Sequence, residues 1–150
     1  MRLWSCAKEP EMQELMGSFF TKGYAFDYIR AIIGAYSLIA AEIFNNGAKV
    51  YAFEPSFPNF FQHNTNIQIN QVQEPVAPVQ IALSDKMRVS MSHHSTLELG
   101  STMHLPGQAL EHKADALTPV REPQLSSFSL DDINGHFNLA APSHPKLDAD

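Results

Sequence analysis

At 150 residues the chain has room for one domain with a real buried core. Its formal net charge is −6 and its ten Lys and Arg residues are scattered, so no basic cluster faces a run of phosphates and no nucleic-acid partner is expected. The single cysteine, Cys6, excludes an internal disulfide and a cysteine-based zinc site; the acid-bearing start is no secretory signal and no uncharged apolar run reaches the ~18 residues of a membrane span, so a cytoplasmic protein is expected.

Residues 1–23 read as a leader. Met12, Leu15, Met16 and Phe19 recur at spacings of three and four, which predicts an amphipathic helix over Glu9 to Phe20, covering a face or edge of a sheet. Residues 24–150 read as one α/β domain. Tyr24 to Ile29 is short and apolar enough for a buried strand, and a small-residue turn centred on Gly34 follows. Tyr36 to Phe44 suits a helix packed on a sheet, stopped by Asn45-Asn46-Gly47, residues that tolerate the left-handed conformation of a helix end. Lys49 to Phe53 is a second apolar strand and runs into Glu54. A strand, a crossover helix and a parallel strand ending in an acid form the core of a nucleotide-binding half-fold.

Beyond Pro55, Ser56 is placed to cap a helix with Pro58 in its first turn. Phe57, Phe60, Phe61, Asn64 and Ile67 give that helix its period, to about Ile69, and Asn70 can end it. Gln71 to Pro78, with two prolines, reads as a loop. Val79 to Leu83 reads as a third strand, ending at Ser84-Asp85. Arg88 to His94 alternates as an edge strand would, and Ser95 to Pro123 reads as loops over the ligand end of the sheet. Ser127 to Leu130 is a short strand, Leu130 to about Phe137 a brief helix, and His144 to Ala149 a last strand. The fold class expected is α/β, a Rossmann-like, mostly parallel sheet flanked by helices. It is expected to be incomplete at the C-terminus, since no closing helix follows Asp148.

Glu54 is the leading site residue, because an acid just past the second strand of such a unit can accept two hydrogen bonds from a ribose diol. The preceding loop reads IRAIIG where a dinucleotide loop would read GxGxxG, which argues against a nicotinamide or flavin dehydrogenase; a cofactor without phosphate, such as S-adenosylmethionine, needs less from this loop. Asp85 could bond an adenine amino group and Asp148 could sit beside a reacting centre; for each, a solvated strand-end acid is at least as good a reading. The seven histidines show no HxxxH or HxH pair, and no GxSxG elbow surrounds a serine, so neither metal nor a serine nucleophile is expected.

The run GAYSLIAAEIFNNGAKVYAFEPSFPNFFQHNTNIQIN, then VQIALSD, SLDDI and KLDAD, resembles the FkbM family of S-adenosylmethionine-dependent methyltransferases over most of Lys8 to Asp150. The resemblance implies transfer of a methyl group from S-adenosylmethionine to an oxygen of a small molecule or sugar. It implies that Glu54 holds the ribose hydroxyls, that Ser84 and Asp85 lie beside the adenine, and that Gly34 and its neighbours wall the methionine part. It also implies that Asp148 faces the methyl-transfer site. The family's first motif, DIGANIG, is here Tyr28-Ile29-Arg30-Ala31-Ile32-Ile33-Gly34. An arginine where the loop needs a glycine adds a Cβ and a cation that repels a sulfonium. Asp27 is one place early, and a one-residue offset on a strand turns a side chain to the other face. Weakened cofactor binding is therefore expected, and the alternative is a non-catalytic remnant or binding module with the same fold.

Overall fold

In the computed structural model, residues 25–43, 47, 49–94, 104–106, 124–137, 139 and 144–147 are described. The leader helix expected over Glu9 to Phe20 lies outside them, as does Asp148. In chain order the elements are β1 (Ala25–Ile29), α1 (Ala35–Ile43), β2 (Lys49–Phe53), α2 (Phe57–Ile69), β3 (Val76–Val79), β4 (Ala82–Leu83), β5 (Arg88–His94), β6 (His104–Pro106), β7 (Gln124–Phe128), α3 (Leu130–Phe137) and β8 (His144–Leu147).

The fold is α/β. One sheet has the order β3-β2-β1-β8 with every neighbouring pair parallel. Strand parity sorts its residues. Phe26, Tyr28, Val50, Ala52 and Val76 join Tyr36, Ala40 and Ala41 of α1 and Ile67 of α2 in one apolar core. Alanines at the sheet-facing positions let α1 approach closely, and Tyr28 meets Tyr36 edge-on at 5.9 Å between ring centroids. Asp27 and Phe53 have the opposite parity and are buried too, which is why β1 and β2 read as nearly continuous apolar runs. Burial pushes the Asp27 carboxyl up to about 6. Its parity is opposite to that of Tyr28, so its side chain lies on the other face of the sheet.

That sheet is the parallel, helix-flanked one expected, and the described residues form a second sheet besides, β4-β7-β5-β6. Only β4 and β7 are parallel there; β5 runs antiparallel to both β7 and β6. The third strand expected over Val79 to Leu83 is two strands. β3 starts at Val76 and includes Pro78, and the chain then folds over at an Ile81 N–H bond to the Val79 carbonyl (3.1 Å) before entering β4 in the other sheet. Proline is tolerated because, among the described residues, β3 is an edge strand bonded on one side only. β5 is not an edge strand, since β6 lies outside it. β7 ends at Phe128 rather than Leu130 because Ser129 caps α3. The Ser129 hydroxyl accepts the Asp132 N–H at 3.1 Å and donates to the Asp132 carboxylate at 2.7 Å, a reciprocal cap that fixes the start of that helix. Among the described residues no helix is long and apolar enough to cross a membrane.

Candidate functional site

The site is the junction of β2, the loop after β1 and one face of α2. Glu54 follows β2, and its N–H donates to the Val79 carbonyl at 3.1 Å, so the strand pairing continues into the acid. The side chain is 3% exposed. Its Oε1 accepts the Ser56 N–H at 2.8 Å and its Oε2 accepts the Ile32 N–H at 2.7 Å. The Asn59 side chain bonds it as well. Burial pushes the Glu54 carboxyl up to about 7, against the lowering effect of the Ser56 and Ile32 amides, Asn59 and the Arg30 charge.

The loop itself alternates. Arg30 (φ 59°), Ile32 (φ 52°) and Gly34 (φ 82°) are all left-handed. For a residue with a Cβ this conformation costs about 1–2 kcal/mol, and it is rarest for β-branched residues such as isoleucine. The surrounding structure holds the loop there. The Ala31 N–H donates to the Phe53 carbonyl (3.0 Å), and the Gly34 N–H to the Ala31 carbonyl (2.7 Å). The Asn66 side-chain amide donates to the Ile33 carbonyl at 2.7 Å. Gly34 has a second reason to lack a side chain: a Cβ there would stand 2.0 Å from the His63 ring.

His63 is fully buried, and neither ring nitrogen has a hydrogen-bond partner among the described residues. Burial lowers its pKa to about 4, so at neutral pH the ring is an uncharged wedge behind the loop. Ser56 stands at the N-cap of α2 as expected, but its hydroxyl makes no capping bond; its N–H serves Glu54 instead.

Of the residues singled out in the sequence, the structure joins two. Gly34 and Glu54 share one hydrogen-bonded loop through Ile32 and Ala31. Ser84 and Asp85 follow β4 in the second sheet. The Ser84 hydroxyl donates to Asp85 at 2.9 Å, and that bond is the main cause holding the exposed Asp85 carboxyl below its ordinary value. No described hydrogen bond links either residue to the loop or to Glu54. Sequence reasoning missed Asn59, His63 and Asn66, which put one face of α2 onto Glu54, Gly34 and Ile33 in turn. The signal was legible: these polar residues recur at i, i+4 and i+7 on a helix, which makes a single stripe.

A ribose diol needs two acceptor positions on the acid. A carboxylate offers about four, and Ile32, Ser56 and Asn59 already bond this one. As the loop lies, Glu54 therefore has too few open acceptor positions for a ribose diol, and the residues present do not fit an adenosyl group.

No protein-family model matches the chain. No curated protein matches it either. Among solved structures it is similar to a provisionally assigned rRNA methylase from Clostridium thermocellum, at 10% identity and TM-score 0.45 over 48% of this chain and 39% of that one. It is also similar to a provisionally assigned transferase from Pyrococcus horikoshii, at 24% identity and TM-score 0.43 over 48% of this chain and 27% of that one. This chain therefore matches less than half the length of either structure.

Proposed function

We propose that this chain is an S-adenosylmethionine-dependent methyltransferase of FkbM type, acting on an oxygen of a small molecule or sugar. The observation that carries the reading is the alternation of left-handed residues at 30, 32 and 34, the positions of Gly, Asn and Gly in DIGANIG. Glycine and asparagine are the residues suited to that backbone. The loop has the backbone that those three residues would suit, although two of the three differ here, and its middle residue is tied to Glu54. On this reading Glu54 would hold the ribose hydroxyls once a protein partner lets go. Ser84 and Asp85 would lie beside the adenine, Gly34 and its neighbours would wall the methionine part, and Asp148 would face the acceptor. Such a cofactor supplies a methyl group on a sulfonium, and what the protein adds is chiefly positioning.

A second reading is a non-catalytic binding module with this fold. The engagement of both Glu54 oxygens by the chain's own amides favours it. So does Arg30, whose positive charge lies close enough to act on Glu54 and would oppose a sulfonium. Isothermal titration with S-adenosylhomocysteine, on the unaltered chain and on Arg30→Gly/Ile32→Asn, separates the two. The methyltransferase reading expects binding weaker than low-micromolar for the chain and tighter binding for the double variant. Low-micromolar affinity in the unaltered chain would show that the loop substitutions do no harm. Heat from neither protein would leave the binding-module reading.

A further inference from the structure

We propose that Asn66 is the positioning residue of the candidate site: its carboxamide holds the Ile33 carbonyl and thereby keeps Arg30 and Ile32 left-handed, which sets the Ile32 amide on Glu54. The inference deepens the reading of Glu54 given above, but the hold itself is measurable without any cofactor.

The geometry is specific. Asn66 is 3% exposed and lies on the face of α2 turned toward the loop. Its Oδ1 accepts from Gln62 Nε2 at 3.1 Å, which fixes the carboxamide so that Nδ2 points at the Ile33 carbonyl, 2.7 Å away. A carbonyl can only accept, so the orientation is chemically determined. Ile33 sits between two left-handed residues, Ile32 and Gly34. Gripping its carbonyl fixes the peptide planes on either side of the strain. The His63 ring, three residues before Asn66 on α2, lies against Gly34, so close that a Cβ there would stand 2.0 Å from it.

The strain is what makes the hold necessary. In a loop with Gly, Asn and Gly at 30, 32 and 34 the left-handed backbone costs little. In this chain two residues with a Cβ adopt it, one of them β-branched, and each opposes the conformation. The buried bond from Asn66 to the Ile33 carbonyl, set by its orienting partner, acts directly against that strain. Asn66 thus does the work that side-chain choice does in the motif the loop resembles.

The test is solution NMR of the ligand-free chain. A left-handed residue shows a strong intraresidue contact between its amide and α protons, and amide exchange reports the Ile32 bond to Glu54. In Asn66→Ala the left-handed signature at 30 and 32 is expected to disappear, and the Ile32 amide to exchange about tenfold faster, as the loss of an ordinary hydrogen bond allows. The Ala52 amide in β2 should not change. Adding Arg30→Gly/Ile32→Asn to Asn66→Ala should restore the left-handed signature at both positions. Persistence of the signature in folded Asn66→Ala would overturn the proposal, and so would failure of the double substitution to restore it. If Asn66→Ala does not fold, Gln62→Ala takes its place: it removes only the orienting bond from a half-buried position, and the same loss and rescue are expected in weaker form. A positive result here with no cofactor binding in the titration would uphold the positioning role and reject the methyltransferase reading.

Discussion

Oε2 of Glu54 accepts the backbone N–H of Ile32 at 2.7 Å, so the acid at the end of β2 is bonded to a left-handed isoleucine 22 residues earlier in the chain. Glu54→Ala removes that acceptor and the one used by the Ser56 N–H. Leaving a buried donor unsatisfied costs about 1–3 kcal/mol, so a loss of about 2–4 kcal/mol is expected by urea denaturation at mildly acid pH. A loss under about 0.5 kcal/mol would mean that both amides find other partners.

Gly34 admits no side chain. Its φ is 82°, and a Cβ would stand 2.0 Å from the His63 ring. Gly34→Ala should therefore lower stability by about 3 kcal/mol or more, combining backbone strain with overpacking. Adding His63→Ala should recover the overpacking part and leave the strain. Equal loss in the single and double variants would show that the ring is not the obstacle.

The two buried titrating groups of the site pull in opposite directions. His63 titrates near 4 in the fold against 6.5 when solvated. The unfolded chain takes that proton first, so stability is lost as pH falls from 6.5 toward 4. Glu54 titrates near 7 in the fold against 4.5 when solvated. The folded chain holds that proton longer, so stability is lost as pH rises from 4.5 through 7. His63→Leu should gain about 2 kcal/mol near pH 4.5 relative to its effect near pH 8. Glu54→Gln should flatten the decline toward neutral pH. Parallel stability–pH curves for wild type and His63→Leu would sink the assignment.

Arg30→Gly and Ile32→Asn should each raise the melting temperature, because each places a residue suited to a left-handed backbone where one is required. About 1 kcal/mol per site is the expected scale. Tyr28→Asp, the remaining step toward DIGANIG, should do the reverse. Tyr28 is 2% exposed and packs on Phe26 and Tyr36, so an aspartate there leaves a cavity and a buried carboxyl. Thermal unfolding of the double and triple variants checks both directions.

Much of the first sheet was legible in the sequence. β2 and α2 were read with the bounds the structure gives them, because an unbroken apolar run and a helical period each end at a clear stop. β3 was hidden by Pro75 and Pro78, which read as a loop unless the strand is known to lie at an edge. β6 fell within a stretch whose composition resembles a loop, and its pairing with β5 is set by tertiary contact rather than local pattern. At the site, the position of Glu54 could be read from the strand it follows. Its engagement could not, since nothing in Arg30 or Ile32 suggests a left-handed backbone; α2, packed behind the loop, imposes it.

The parallel sheet has one further consequence, for synthesis rather than for chemistry. β1 is flanked on one side by β2, which follows it closely, and on the other by β8, where Phe26 pairs with His144. As the chain emerges from a ribosome, β1, α1, β2, α2 and β3 can assemble as a local unit, but one side of β1 stays an open edge until residues 144–147 arrive. Closing so distant a pair is slow. A nascent chain stalled before β8 would thus present the unpaired side of β1, a natural docking edge for chaperones and a route to strand-by-strand aggregation when they are scarce.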